Sequence, residues 1–159
     1  MLTLCNVTYN EAMQKIFIVE DDLSIVNSLK NVLSPEFSVV TTLNFRAVVQ
    51  EITESHADLV LMDITLPYFN GFYWTTALRQ VSKIPIIFIS SANDEMNQVM
   101  ALSMGADDFV AKPFNLAVLH AKVQALLRRS YHFSASELVF ADYHLVDHDL
   151  IGSTAKVEL

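Results

Sequence analysis

The run Leu59-Val60-Leu61-Met62 reaches Asp63 without a polar residue before the acid. A strand that uniformly apolar must be covered on both faces, because a half-exposed strand alternates apolar with polar. DLVLMD (58–63) has four companions, KIFIV (15–19), FSVV (37–40), IPIIFIS (84–90) and DFVAK (108–112), all rich in β-branched or aromatic residues. Between these runs, side chains that can share one face recur at helical spacing: Ile25/Leu29/Val32/Leu33, Ala47/Val48/Ile52, Phe72/Thr75/Thr76/Leu78 and Val99/Leu102. Leu116/Leu119/Val123/Leu126/Leu127 supplies a fifth stripe. The alternation predicts an α/β chain: a doubly wound, five-stranded parallel sheet with five helices on its two faces, joined by right-handed crossovers. Function in such folds gathers at the C-terminal ends of the strands.

Composition narrows the function classes. Of 159 residues 52% are hydrophobic, and 10 Lys plus Arg stand against 18 Asp plus Glu, a net charge of -8 that disfavours direct contact with nucleic acid. The apolar runs are short and interrupted by charges, far below the ~20 residues that span a bilayer, so no membrane insertion is expected. One cysteine, Cys5, excludes an intrachain disulfide and a cysteine-based zinc cluster and fits a reducing, cytoplasmic setting. The opening MLTLCNVTYNEAM has no Lys, no Arg and no long apolar run, so it lacks the parts of a secretory signal. Residues 1–13 read as an N-terminal extension, with 1–12 disordered or peripheral.

Three acids, Glu20-Asp21-Asp22, follow the first strand. Asp22 fits the N-cap of the next helix. Glu20 and Asp21 gain meaning from Asp63, because in a doubly wound sheet the third strand can lie beside the first and bring three carboxylates to one edge. Like charges so placed repel unless a hard cation sits among them, and Mg2+ both tolerates few carboxylates and leaves room for phosphate. The fourth strand ends in Ser90-Ser91 and the fifth in Lys112-Pro113, adding a hydroxyl and an ammonium. A phosphoryl group on a carboxylate needs that combination around its oxygens. An enzyme of the haloacid dehalogenase type would need a second acid two residues after its aspartate, where this chain has Thr65. A flavodoxin would need a hydroxyl- and glycine-rich loop where Glu20-Asp21-Asp22 would repel phosphate. The chain is therefore read as a non-enzyme. The five histidines are read as surface or core residues and Trp74 as packing.

The set IVEDD, LMDITLPYFNG, IIFISSAN and MGADDFVAKPF, in this order and spacing, resembles the receiver domain of two-component response regulators over about residues 14–129. The resemblance implies a flavodoxin-like strand order 2-1-3-4-5 and Asp63 as phosphoacceptor from a sensor histidine kinase. It also implies Mg2+ held by Glu20, Asp21, Asp63 and the backbone carbonyl of Thr65. Ser90 would be the switch hydroxyl, Lys112 the phosphate-pairing lysine before an often cis Pro113 peptide, and Phe109 the aromatic that rotates inward from the surface on activation.

The stretch after Arg129 has no helical stripe and reads as a linker (130–136) and a short antiparallel β fragment (137–159). With the preceding FVAKPFNLAVLHAKVQALLRRS it resembles the OmpR/PhoB class, in which such strands open a winged-helix DNA-binding domain. The DNA-reading helix is expected to be absent before Leu159, so promoter DNA is a partner only of a full-length protein. ISSANDEMNQVMALSMGADDF and LLRRSY look most like regulators paired with antimicrobial-peptide or bacitracin resistance transporters. The class pairs into homodimers through its fourth helix, fifth strand and fifth helix. Here Val99, Leu102 and Leu119 are expected to form the apolar patch, with Asp107 and Asp108 facing Lys122 and Arg129. Family charge positions are occupied instead by Gln98 with Val118 and by Ser103 with Gln124. The competing reading is a phosphorylation-independent dimerisation or docking module with an idle pocket.

Overall fold

The computed structural model describes residues 13–91 and 95–130, with the backbone alone for 95–97. The N-terminal extension up to residue 12, the 131–136 part of the linker and the β fragment at 137–159 lie outside the described residues. The chain separates into two units, Met1–Gln124 and Ala125–Leu159. Of the second, residues 125–130 are described, and they are helical.

Five strands, β1 (Lys15–Val19), β2 (Ser38–Thr41), β3 (Leu59–Asp63), β4 (Ile86–Ser90) and β5 (Asp108–Ala111), form one parallel sheet in the order β2-β1-β3-β4-β5. The helices are α1 (Leu23–Leu33), α2 (Val48–Ser55), α3 (Gly71–Arg79), α4 (Glu95–Ser103) and α5 (from residue 116). β3 and β4 are buried at every position, as the unbroken apolar runs require, whereas the edge strand β2 is only half-buried. Register sets Val19 beside Met62 and Met62 beside Phe88, so β1, β3 and β4 end nearly level.

Local chemistry starts the helices where the sequence reading places them. Asp22 accepts from the Ser24 N–H at 2.9 Å, and Asn70 and Asn115 do the same for Tyr73 and Ala117 at 2.9 and 2.8 Å. α2 has no side-chain cap; instead the Glu51 carboxylate accepts from Leu43 and Asn44 N–H groups at 3.1 and 3.0 Å and fastens the β2–α2 loop to the helix. The stripes need small corrections. In α1 the buried residues are Val26, Leu29 and Leu33, with Ile25 and Val32 only half-buried. In α3, Trp74 takes the inward place expected of Thr76, which is exposed.

A structural hub without a sequence signature closes the opposite edge of the sheet. The Arg79 guanidinium donates to the Gly105 carbonyl at 2.7 and 3.0 Å and to the Ile84 carbonyl at 2.7 Å. It also pairs with Asp107 at 3.2 Å, and Asp107 in turn accepts from the Ile86 N–H at 2.8 Å. Within the protomer Asp107 is thus tied to Arg79 on α3, and Asp108 pairs with Lys122 at 3.0 Å. Among the described residues no helix is long and apolar enough to cross a membrane.

Candidate functional site

The C-terminal ends of β1, β3, β4 and β5 deliver the expected side chains to one place. Glu20 and Asp63 are each 3% exposed, Asp21 is exposed, and one carboxylate oxygen from each of the three lies within 4.8 Å of the others. Lys112, one residue past β5, reaches across with its Nζ 2.9 Å from Glu20 Oε1 and 3.3 Å from Asp63 Oδ2. The other Glu20 oxygen accepts from the Asp22 N–H at 3.1 Å, which orients that carboxylate. Ser90 ends β4 fully buried, and its carbonyl accepts from the Lys112 N–H at 2.6 Å, so the serine and the lysine share one backbone joint. The Lys112–Pro113 peptide is cis. Thr65 lies two residues beyond Asp63 in the β3–α3 loop, exposed.

The electrostatics show excess negative charge. Burial first, and then the neighbouring Glu20 carboxylate, push Asp63 up to about 7, against the opposing pull of Lys112. Burial works against the Lys112 ammonium, but its hydrogen bonds and charge pairing with Glu20 and Asp63 prevail and hold it above the usual lysine range. Three carboxylates, two of them paired with the lysine, form an all-oxygen donor set, which suits a hard divalent cation and not zinc. The residues present therefore fit Mg2+.

Two parts of the expectation change. Phe109 is 8% exposed and packed in the core with Phe88 and Ala101, so the aromatic expected to start at the surface already lies inward. Leu119, expected in the apolar pairing patch, is fully buried, on the core-facing stripe of α5 with Val123. The exposed apolar residues there are Val99, Met100 and Leu102 on α4 and Val118 on α5. Within the protomer Gln124 donates to both Glu36 oxygens at 3.2 Å, beside His120 at 2.8 Å, and these bonds hold Glu36 below the usual carboxylate range.

Sequence reasoning missed the role of Gly71. A Cβ there would collide with the Asp63 carbonyl oxygen and stand 3.0 Å from both the Asp63 carbonyl carbon and Ile64 Cα, so α3 can pass behind Asp63 only on a glycine. The signal was present as the last residue of LMDITLPYFNG, but only packing reveals what the glycine touches. A cavity of about 570 Å³, lined by Ile25, Ser28, Ser91, Lys112, Pro113, Phe114 and Leu116, opens beside the lysine.

Comparison with known proteins agrees with this geometry. The family model described as response regulator receiver domain matches residues 16–124. The chain is similar to the sensory transduction protein BceR of Halalkalibacterium halodurans, 43% identical over 126 residues, which are 79% of this chain and 54% of that protein. It is also similar to the response regulator protein GraR of Staphylococcus haemolyticus, 44% identical over 124 residues, 77% of this chain and 55% of that one. Among solved structures, the N-terminal domain of the nisin resistance regulator NsrR, a lantibiotic response regulator, is 63% identical with a TM-score of 0.67, covering 72% of this chain and 97% of that one. The chain spans about half the length of the curated relatives it matches. Their names are those of regulators or of a sensory transduction protein and not of enzymes, and they agree with the class and the resistance-regulator group read from the sequence. On the match over most of its length, the chain belongs to the response regulator receiver family.

Proposed function

We propose that this receiver accepts a phosphoryl group on Asp63 from a sensor histidine kinase in the cytoplasm and transmits that event through its α4–β5–α5 face to a DNA-binding domain in the longer protein. The observation that carries the reading is Lys112 held between Glu20 and Asp63 at the mouth of a three-carboxylate cluster. Glu20, Asp21, Asp63 and the backbone carbonyl of Thr65 would hold Mg2+, which when bound neutralises charge on the transferring phosphoryl group. An Asp63 carboxylate oxygen forms the new bond to phosphorus as the donor's bond breaks and its electron pair leaves with the donor. The Lys112 ammonium balances charge on the phosphoryl oxygens, and Ser90 supplies a hydroxyl to one of them. The cavity beside Lys112 gives a donor a route to that side of the site. Residues 14–129 are assigned to the receiver, 130–136 to a linker and 137–159 to the first strands of a winged-helix domain.

Incubation with acetyl phosphate tests the proposal: the intact chain gains one phosphoryl mass with Mg2+ and none in EDTA. Equal uptake in EDTA would overturn it, and no uptake in either condition would favour the docking-module reading.

Signalling is assigned to pairing of two receivers. Phosphorylation biases a pre-existing equilibrium between two arrangements of the α4–β5–α5 face. The contact rests on Val99, Leu102 and Val118, since Asp108 is already paired with Lys122 and Asp107 with Arg79 within the protomer. Exposed ion pairs are worth only about 0–1 kcal/mol each, so the dimer is expected to be weak, strengthened by phosphorylation and nearly insensitive to salt. Sedimentation with a phosphoryl mimic checks this with Leu102→Asp, which should remain monomeric; dimerisation equal to the parent's would place the pairing face elsewhere.

A further inference from the structure

The β3–α3 loop, residues 64–70, leaves the sheet directly after Asp63, and its tip carries a backbone irregularity the functional reading does not use. Tyr68 has φ 69°, and the Phe69 N–H donates to the Pro67 carbonyl at 2.8 Å, which together make a γ-turn of the rare, strained kind. A bulky aromatic at positive φ is an outlier. The Tyr68 side chain is 65% exposed, so core burial does not hold it there. Two contacts do. The Arg46 guanidinium carbon, from the β2–α2 loop, lies 4.0 Å from the Tyr68 ring centroid. Phe69 stacks on Tyr73 at 4.3 Å and 18° and meets Trp74 edge-on at 5.6 Å. Arg46 stands on a fixed platform, its N–H bonded to Asn44 Oδ1 at 2.9 Å next to the Glu51 bonds already described. Among the described residues no carboxylate pairs with Arg46, so its side chain is committed to the ring.

We propose that Arg46 and Tyr68 are positioning residues, a latch between the two loops that holds the root of the β3–α3 loop, Asp63 to Thr65, in the arrangement that receives the divalent cation. The inference rests on the functional reading above. The Gly71 N–H to Ile64 carbonyl bond, 2.8 Å, closes the loop at its base, so tip and root belong to one short ring of chain. Without the latch Tyr68 relaxes toward negative φ, the Pro67–Phe69 bond opens, and residues 64–66 gain freedom that cation binding must remove again.

The test is Mg2+ binding measured by calorimetry and, in parallel, by fluorescence of Trp74, the chain's single tryptophan. Arg46→Ala and Tyr68→Ala should each weaken binding about threefold, the scale of one surface cation–π contact. Alanine keeps the strain of positive φ while removing the ring, whereas glycine adopts positive φ without strain, so Tyr68→Gly should lose less than Tyr68→Ala. The double variant should bind no more weakly than either single one, and Arg46→Lys and Tyr68→Phe should resemble the parent. Parental affinity in Arg46→Ala, additive losses in the double variant, or a fall in metal-free unfolding midpoint that accounts for the weakening would each overturn the latch while leaving the functional reading standing. A parent chain that binds no Mg2+ would overturn both.

Discussion

Asp63→Asn should abolish phosphoryl uptake and, in the same metal-free protein, raise stability at neutral pH. Loss of uptake follows because the amide offers no carboxylate oxygen to attack phosphorus. The gain follows from linkage. Asp63 is pushed up to about 7 by burial and by Glu20, whereas the unfolded chain ionises it near 3.8. Between those two values the folded state keeps a proton that the unfolded state has released, so the parent's stability falls as pH rises through the window and stays low above it. Asparagine carries no such charge. It should match the parent near pH 4 and exceed it above pH 7 by on the order of 2 kcal/mol, a figure below the full linkage value because the mouth of the site is open to water. Mg2+ should narrow the difference by stabilising only the charged parent. Urea unfolding at the two pH values, with and without Mg2+, checks this; equal parent and variant stability at pH 7.5 without metal would show that Asp63 is not under charge repulsion.

Gly71→Ala should damage both the fold and the site. The added carbon meets backbone, the Asp63 carbonyl and Ile64 Cα, and backbone at the end of a central strand cannot turn aside as a side chain can. Relief requires α3 to lift from β3, breaking the Gly71–Ile64 bond or moving Asp63 itself. Overpacking of this kind costs about 1–3 kcal/mol, and uptake at Asp63 should fall with it. Gly105→Ala separates the two effects. Gly105 has φ 107° and its Cβ would stand 3.1 Å from Arg79 Nε, so stability should drop there too. That turn leads into the start of β5, at the edge of the sheet away from Asp63, and uptake should survive. If Gly71→Ala takes up phosphate as fast as the parent, the glycine is not what places Asp63.

Residues 15–19 were legible as a strand to the residue, and the other four runs were right to within one or two positions, because strand and helix periods are local properties of a chain. The site was legible for a related reason. A parallel sheet sends every strand the same way, so acids at the ends of the first and third runs, Ser90 at the fourth and Lys112 at the fifth must share one edge once β3 lies beside β1. What lies across from a side chain was not legible. Nothing in Asp107 says that it meets Arg79 on α3, 28 positions away, nor does anything in Arg46 announce the Tyr68 ring. Leu119 sits in an apolar stripe whose extent is plain and whose phase is not; packing turns that position inward with Val123 and leaves Val118 outside. Phe109 is aromatic either way, and only the space left among Phe88, Ala101 and its other neighbours decides that it lies inside. Hydrophobic period and strand-end chemistry are written along the chain and settle fold and family. Partner, phase and rotamer depend on the volume between elements distant in sequence, which exists only after the sheet has closed.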